Sequence, residues 1–307
     1  FEAVDQLAGM FDEPFADAWA LPTWRVCQLA RESVTVALSG DGADEAFAGY
    51  RRLVFQHQEE RIRRWIPSAV RRSLLGPLAR ALPQTDWLPR PLRAKATLTG
   101  LARSGEEAYA LAIGVTGPEM RSQLYSDAMR ARLRGYAAEE RWWRTMRAAP
   151  AAEPLDRAQY ADMMIALPGD ILTKVDRMSM AVSLEAREPL LDHHLVEFAA
   201  TLPAGMRVRG GTGKWLMKRA MERTLPRDIL YRPKMGFVTP LTAWFRKGLA
   251  EEARALAASP TLAATGWFDM RAIERLVTAH QSGRIDHGRQ IWQFFMLEKS
   301  LKRLFSL

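Results

Sequence analysis

The sequence is poor in cysteine and histidine, because its 307 residues include one cysteine, Cys27, and five histidines. One cysteine excludes an internal disulfide framework, and the scattered histidines lack the spacing of zinc ligands. No stretch approaches the roughly 20 consecutive apolar residues that a membrane-spanning helix needs. The first residues also lack the basic and then apolar layout of a signal peptide. We therefore expect a cytoplasmic protein that binds neither zinc nor a membrane.

Positive charge is in excess, with a formal net charge of +9, and such an excess favours anionic partners. Much of it comes from arginines between Arg51 and Arg103, in segments whose apolar residues recur at helical spacing. These segments are typical of amphipathic helices with a solvated basic face, which can also steer an anionic nucleotide. No nucleic-acid-binding module can be recognised, so we expect no nucleic-acid partner.

A short apolar run at residues 34–38 leads into the glycine-rich sequence SGDGADE. The run predicts a buried strand that feeds a turn and then a helix. Gly40 and Gly42 permit unusual backbone conformations and leave space for a ligand beside exposed amides. Amides at a helix start can bind phosphate, and Asp41 and Asp44 would then require a bridging Mg²⁺. The alternative is that both aspartates only cap the helix.

Helical patterns dominate the first half of the chain outside this strand. The predicted helices span residues 21–31, 44–64, 68–82, 105–112, 118–133 and 137–148, with a loop at 83–91. A helix followed by a strand indicates a parallel βα arrangement, and we expect its earlier strands upstream of this sequence.

Charged and apolar residues alternate closely in the segment 167–203. A solvated helix would separate its charges from its apolar stripe, so this interleaving predicts ion pairs at a packed junction. We expect Glu185 and Arg187 to form a buried pair that braces two helices.

A third charged region contains GGTGKWLMKRA and then RPKMGF. Lys214 and Lys218 are four residues apart on a predicted helix, where two cations on one face can bind an anion. An ammonium group placed in this way can stabilise charge that develops on phosphate. Lys234 lies beside Gly236 in a loop whose composition suits a mobile flap. The alternative for this loop is an ordinary basic turn.

The three regions together resemble the synthetase domain of glutamine-hydrolysing asparagine synthetases. The motifs SGDGADEAFAGY, LTKVDRMSMAVSLEAREPLLD and GKWLMKRA with RPKMGF carry the resemblance in this order. DEPFAD near the start and GRQIWQFFMLEKSLKRLF near the end extend it over nearly the whole chain, with least similarity at residues 60–155.

This resemblance implies an α/β fold of the adenine nucleotide alpha hydrolase-like, ATP pyrophosphatase type, mostly α-helical here and with a truncated parallel sheet. We expect one partial synthetase domain in three parts. Residues 1–60 would be a remnant of the nucleotide-binding core, residues 61–155 a basic helical region, and residues 156–307 the helical completion of the active site.

The resemblance also implies an ATP-dependent amidoligase that uses Mg²⁺. Such an enzyme adenylates a carboxylate, most commonly the aspartate side chain, and ammonia then displaces AMP to form the amide. The ammonia would come from an N-terminal glutaminase domain that is absent from these residues. Relatives act on other carboxylates too, so the acid stays open. So does the oligomeric state, with a homodimer among the options.

The resemblance assigns roles to individual residues. Ser39, Gly40 and Gly42 match positions that bind ATP or the adenylate. Asp41 matches an acidic position of the acyl-adenylate step, where it can accept a proton from ammonia. Asp44 matches a Mg²⁺ ligand.

Four further positions belong to motifs of the same resemblance. Lys214 matches the lysine that stabilises charge on the α-phosphate. Arg177, Lys234 and Gly236 border the site.

One family motif is not found in these residues, namely the SGGxDS loop that holds pyrophosphate and supplies another Mg²⁺-binding aspartate. We expect this loop upstream of Phe1 or on another polypeptide, and we expect the present segment alone to be inactive. The alternative is a non-catalytic binding or scaffold module that keeps the fold without the loop.

Overall fold

The chain folds into many short helices around one small sheet. The computed structural model describes residues 2–82, 95–232, 236 and 239–305. Up to residue 81 the helices are Glu2–Leu7, Ala20–Arg31, Ala43–Ala46, Arg51–Arg63, Ser68–Val70, Arg71–Leu75 and Gly76–Ala81. From 95 to 180 they are Lys95–Ala102, Gly105–Ile113, Pro118–Leu124, Asp127–Leu133, Glu140–Ala148, Pro154–Ala161, Asp162–Leu172 and Thr173–Met180. After 185 they are Pro189–Leu191, His193–Thr201, Ala204–Arg207, Trp215–Met221, Arg227–Leu230, Leu241–Arg246, Ala250–Ala257, Pro260–Thr265, Met270–Gln281 and Gly288–Phe305.

Within the described ranges the sheet has two parallel strands, β1 (Val36–Leu38) and β2 (Glu185–Arg187), with Ala37 opposite Ala186. The prediction of a mostly helical chain with a small parallel sheet is thus confirmed. The prediction of a buried strand is wrong, because Leu38 is 74% exposed. Helices normally cover both faces of a parallel sheet, whereas the face of β1 that carries Val36 and Leu38 is largely uncovered among the described residues.

Several predicted helices are confirmed, and two are interrupted. The helix predicted at 44–64 stops after Ala46 and resumes at Arg51. The cause is Ala48, whose φ of 54° is left-handed and cannot continue a right-handed helix. The helix predicted at 118–133 is divided at Tyr125 and Ser126, where the Ser126 side chain accepts from Met129 N and caps the second part.

The helical stretch from Pro154 to Met180 changes its hydrogen-bond pattern in the middle. Its segment Asp162–Leu172 has the wider π geometry and contains Pro168. Proline lacks the backbone N–H and clashes with the preceding turn of an α-helix, and a wider turn relieves that conflict. The Thr173 hydroxyl donates to the Pro168 carbonyl oxygen at 2.7 Å. The helical stretch therefore runs unbroken from Pro154 to Met180, and a turn then leads to β2.

The largest core joins the two ends of the described chain. Apolar side chains from residues 4–24 pack with those from residues 241–301, and Trp292 and Phe245 are fully buried among them. A second cluster lies under Arg51–Arg63 and includes Tyr109 and Leu155. The large cluster brings the N-terminal helices against the helix Gly288–Phe305.

The predicted ion pair between Glu185 and Arg187 forms, with Arg187 Nε and Glu185 Oε1 2.7 Å apart. Both side chains are exposed and lie on β2, so the prediction that they brace two helices from a buried position is wrong. Residues two positions apart on a strand point to the same face, so both side chains lie on one side of β2. The buried pair nearby is Lys174 with Asp17, at 2.6 Å, and it ties Thr173–Met180 to the segment before Ala20–Arg31.

No helix in the described ranges combines the length and the apolar character needed to span a membrane. The division of the chain into residues 1–60, 61–155 and 156–307 stays a prediction.

We expect a buried histidine to make the stability of the fold depend on pH. His280 Nδ1 accepts from the backbone N–H of His287 at 3.0 Å, and Nε2 lies 3.3 Å from the carbonyl oxygen of Thr242. Since Nδ1 must accept, the proton of the neutral ring belongs on Nε2. Burial, and then the charge of Arg246, lower the pKa of His280, although Asp286 opposes them.

We expect this histidine to destabilise the protein in acid. Because its pKa is lower in the folded state, the unfolded state binds more protons, and stability falls as the pH drops below about 6.5. One proton contributes a slope of at most about 1.4 kcal/mol per pH unit. Urea unfolding between pH 8 and pH 5 tests this against His280→Gln, whose amide can keep both hydrogen bonds. Equal pH slopes in the two proteins would contradict the assignment.

Candidate active site

The carboxyl ends of the two strands lie side by side and open the candidate site. The Ser39 N–H donates to the Arg187 carbonyl oxygen at 2.8 Å, which places the glycine turn next to the end of β2. The Ser39 hydroxyl donates to Asp41 Oδ2. Open parallel sheets bind ligands beyond the carboxyl ends of their strands. Burial, and then the charge of Asp41, raise the pKa of Glu188, so a second carboxyl group lies at this edge.

The two glycines of the turn, Gly40 and Gly42, have different surroundings. Gly42 has a φ of +89°, and a Cβ there would lie 2.1 Å from Leu191 Cδ2. Only glycine fits this position without strain or collision. A Cβ on Gly40 would meet no atom within 4 Å, and Gly40 is exposed. The turn is thus packed at Gly42 and open at Gly40, as a ligand-facing backbone requires.

The turn meets a lysine that is 170 positions away in the sequence. Lys214 Nζ lies 3.2 Å from Asp44 Oδ1, and both side chains are about three-quarters buried. The Lys214 N–H donates to the Phe47 carbonyl oxygen at 2.9 Å. A Cβ on Gly49 would lie 2.0 Å from Asp44 Oδ1 and 2.2 Å from Lys214 Cε. The absent side chain of Gly49 is what allows this contact.

The backbone at this contact is unusual. Ala48 and Lys214 both have a φ of 54°, a left-handed conformation that is uncommon for residues other than glycine. A Cβ on Gly213 would lie 2.2 Å from the Ala48 carbonyl oxygen, so the two segments approach at the backbone. Such conformations persist where the surrounding structure imposes them, and they cluster at functional sites. Lys214 is the N-cap of the helix Trp215–Met221, and its carbonyl oxygen accepts from the Lys218 N–H at 2.9 Å, one helical turn away. That the two ammonium groups bind one anion stays a prediction.

The structure describes two of the three residues predicted to border the site. Arg177 pairs with Asp12 at 2.8 Å and with Asp176 at 2.5 Å, and these acidic partners raise its pKa. Gly236 is exposed, and a Cβ there would lie 3.8 Å from Trp19 Cζ2. Lys234 lies outside the described residues.

The sequence did not single out the half-buried carboxyl groups of Asp17 and Asp170. Lys174 Nζ lies 5.4 Å from the centre of the Trp19 ring and pairs with Asp17. Burial, and then the charge of Asp17, raise the pKa of Asp170. The segment LPGDILTKVD carried a signal for this group, because it places Asp170 and Lys174 one helical turn apart among apolar residues.

Comparison with known proteins agrees with this arrangement of motifs. The family model described as asparagine synthase matches residues 1–302. A protein of Mycobacterium bovis, named for glutamine-hydrolysing asparagine synthetase, is 34% identical over an alignment of 305 residues, which covers 96% of this chain and 44% of that protein with gaps left out. Glutamine-hydrolysing asparagine synthetase 1 of Bacillus subtilis is 30% identical over an alignment of 301 residues, which covers 95% of this chain and 44% of that protein.

The chain spans less than half of the length of these relatives. The family match nevertheless covers almost every residue and includes the glycine turn, Lys174–Arg187 and Lys214. This chain belongs to the asparagine synthase family.

Proposed function

We propose that this chain supplies part of the active site of an ATP-dependent amidoligase. The observation that carries the proposal is the contact of Asp44 with Lys214 beside the open glycine turn. A carboxylate and an ammonium at the carboxyl ends of parallel strands suit a metal-bound polyphosphate, because one binds the cation and the other the anion. Family membership supports the reaction class. We propose an ATP pyrophosphatase-type fold on the same basis.

The residues present fit a Mg²⁺ ion that is shared with a nucleotide. No group of three or more metal-binding side chains occurs in the part of the chain that the structure describes. Mg²⁺ at nucleotide sites needs only one or two carboxylates, because phosphates and water complete its shell. Asp44 supplies one such carboxylate. When bound, the ion would neutralise phosphate charge and orient the pyrophosphate leaving group.

In the first step, a carboxylate oxygen of the acid attacks the α-phosphorus of ATP, and pyrophosphate leaves with the electrons of the broken P–O bond. We assign Lys214 to the negative charge that develops on the α-phosphate. Gly40 and Gly42 would bind the adenylate through backbone N–H groups, and Ser39 through its hydroxyl, because the Ser39 N–H donates to Arg187. Gly40 offers the open backbone that this role needs.

In the second step, ammonia attacks the acyl carbon and AMP leaves. The nitrogen must lose a proton, and we assign Asp41 to accept it. The aspartate side chain is the first candidate acid, and the ammonia would come from glutamine hydrolysed elsewhere in the assembly. Arg177, Lys234 and Gly236 would border the bound substrates.

The test is pyrophosphate release by the expressed protein that contains this chain, with ammonium chloride in place of glutamine. We expect release to require ATP, Mg²⁺ and one acid, and aspartate should be tried first within a panel of carboxylic acids. ATP binding without release for any acid would favour the non-catalytic module instead.

A further inference from the structure

A buried glutamine from a distant helix holds the turn that carries Asp44. Gln159 Nε2 donates to the carbonyl oxygens of Glu45 and Ala46, the second at 3.0 Å. These groups belong to the end of the one-turn helix Ala43–Ala46, where carbonyls lack partners within the helix. Gln159 therefore caps this helix from 113 residues away.

The orientation of the Gln159 amide is determined by its other partner. Arg207 Nη1 donates to Gln159 Oε1 at 2.6 Å, and Arg207 also pairs with Asp156. A guanidinium group can only donate, so the amide oxygen must face Arg207 and the amide nitrogen must face the turn. All of these contacts are buried or half-buried, which leaves the amide no alternative orientation.

The remaining carbonyls of the turn are bonded by the backbone. The donors to the carbonyls of Gly42, Ala43, Asp44 and Phe47 are the N–H groups of Ala46, Phe47, Gly49 and Lys214, respectively. Every carbonyl from residue 42 to residue 47 therefore accepts a hydrogen bond. Gln159 supplies two of these bonds, and the backbone of Lys214 supplies another.

We propose that Gln159 is a positioning residue for the Asp44–Lys214 pair, an inference that rests on the proposed function. Asp44 projects from this turn and Lys214 docks onto it, so the course of the turn sets the position of both groups. Without the Gln159 donor, two buried carbonyls lose their partners and the turn can shift. A displacement of about 1 Å in a catalytic group can cost about 100-fold in rate.

The test compares two buried glutamines. Gln56 Nε2 donates to the Gly105 carbonyl oxygen at 3.2 Å, and Gln56 and Gln159 are 3% and 4% exposed. Gln159→Leu and Gln56→Leu therefore remove similar groups from similar burial. Gln159→Glu is the second variant, because it keeps an acceptor for Arg207 while it removes the donor to the turn.

Two readouts follow the turn and the site separately. Hydrogen exchange of the backbone amides in residues 43–49 should be faster in both Gln159 variants than in wild type and unchanged in Gln56→Leu. Calorimetric titration with ATP should show that the Mg²⁺ concentration for half-maximal binding rises about 10–100-fold in the Gln159 variants, as for residues that orient metal ligands.

The positioning role is overturned if exchange and Mg²⁺ dependence in the Gln159 variants equal those of wild type. It is also overturned if Gln56→Leu changes the Mg²⁺ dependence equally, since the effect would then be general destabilisation. If the wild-type protein shows no Mg²⁺-dependent ATP binding, the proposed function fails and the positioning role fails with it. If every variant binds ATP with the Mg²⁺ dependence of the wild-type protein, the positioning role is refuted and the proposed function is not.

Discussion

Lys214→Ala should lower kcat for acid-dependent pyrophosphate release by about 10²–10³-fold, the usual effect of removing one preorganised group that stabilises transition-state charge. The KM for ATP should change much less, because the charge on the α-phosphate increases as the reaction proceeds. Alanine does not relieve the left-handed conformation of this position, so the effect reports the loss of the ammonium. Steady-state kinetics with ammonium chloride as the nitrogen source give the measurement.

Arg219→Ala is the matched control for Lys214→Ala. Arg219 lies on the helix that Lys214 precedes, carries the same charge and is exposed, with an ion pair to Glu222. We expect its replacement to leave kcat unchanged, because a surface ion pair contributes little to stability and Arg219 lies outside the proposed site. Full activity of Lys214→Ala, or an equal loss in both variants, would refute the role given to Lys214.

Asp44→Asn should raise the Mg²⁺ concentration needed for half-maximal activity by at least about tenfold. Loss of residues that only orient metal ligands already costs about 10–100-fold, and Asp44 is proposed as a ligand itself. The substitution also removes the negative partner of Lys214, whose Nζ lies 3.2 Å away. ATP binding in the absence of Mg²⁺ should therefore be preserved or strengthened, because the Lys214 ammonium no longer pairs with a carboxylate and can bind phosphate.

Opposite changes with and without Mg²⁺ would distinguish a metal ligand from a structural residue. Titration of ATP into the variant at zero and at saturating Mg²⁺ measures both. Asp269→Asn is a suitable control, since Asp269 caps the distant helix Met270–Gln281 and accepts from Arg271 N at 3.0 Å. If Asp44→Asn weakens ATP binding equally in both conditions, Asp44 holds the fold of the turn and the metal role is refuted.

Local signals in the sequence predicted much of the helical fold. The helix predicted at 105–112 is Gly105–Ile113, and it begins with a capping box formed by Ser104 and Glu107. The helix predicted at 21–31 is Ala20–Arg31. Such boundaries depend on residues within one or two turns, so the sequence pattern contains the information that determines them.

Contacts between distant segments could not be predicted in this way. β2 was missed because a three-residue strand with a charged residue at each end has no apolar periodicity, and it forms only by pairing with β1. The burial of Lys174 with Asp17, instead of Glu185 with Arg187, depends on how Thr173–Met180 packs against Ala20–Arg31.

In the candidate site, too, the local motif was predictable and the contacts between distant segments were not. The composition of SGDGADE indicated a phosphate and metal site, and the family resemblance added Lys214. No spacing indicated that Lys214 touches Asp44, because the contact requires two glycines and two left-handed residues in separate segments. The cap supplied by Gln159 was also beyond prediction, since a glutamine in an amphipathic helix has no distinctive pattern.

The core that joins residues 4–24 to residues 241–301 also affects how the protein is made. Ribosomes add about 5–20 residues per second, so the helices within residues 2–31 wait roughly 13–55 s before Trp292 and its neighbours exist to cover them. During that interval Phe11, Phe15 and Trp24 lack the partners that later bury them. These helices thus join this core only after residues 241–301 have been synthesised. Chaperones that shield apolar segments during translation should consequently raise the yield of folded protein.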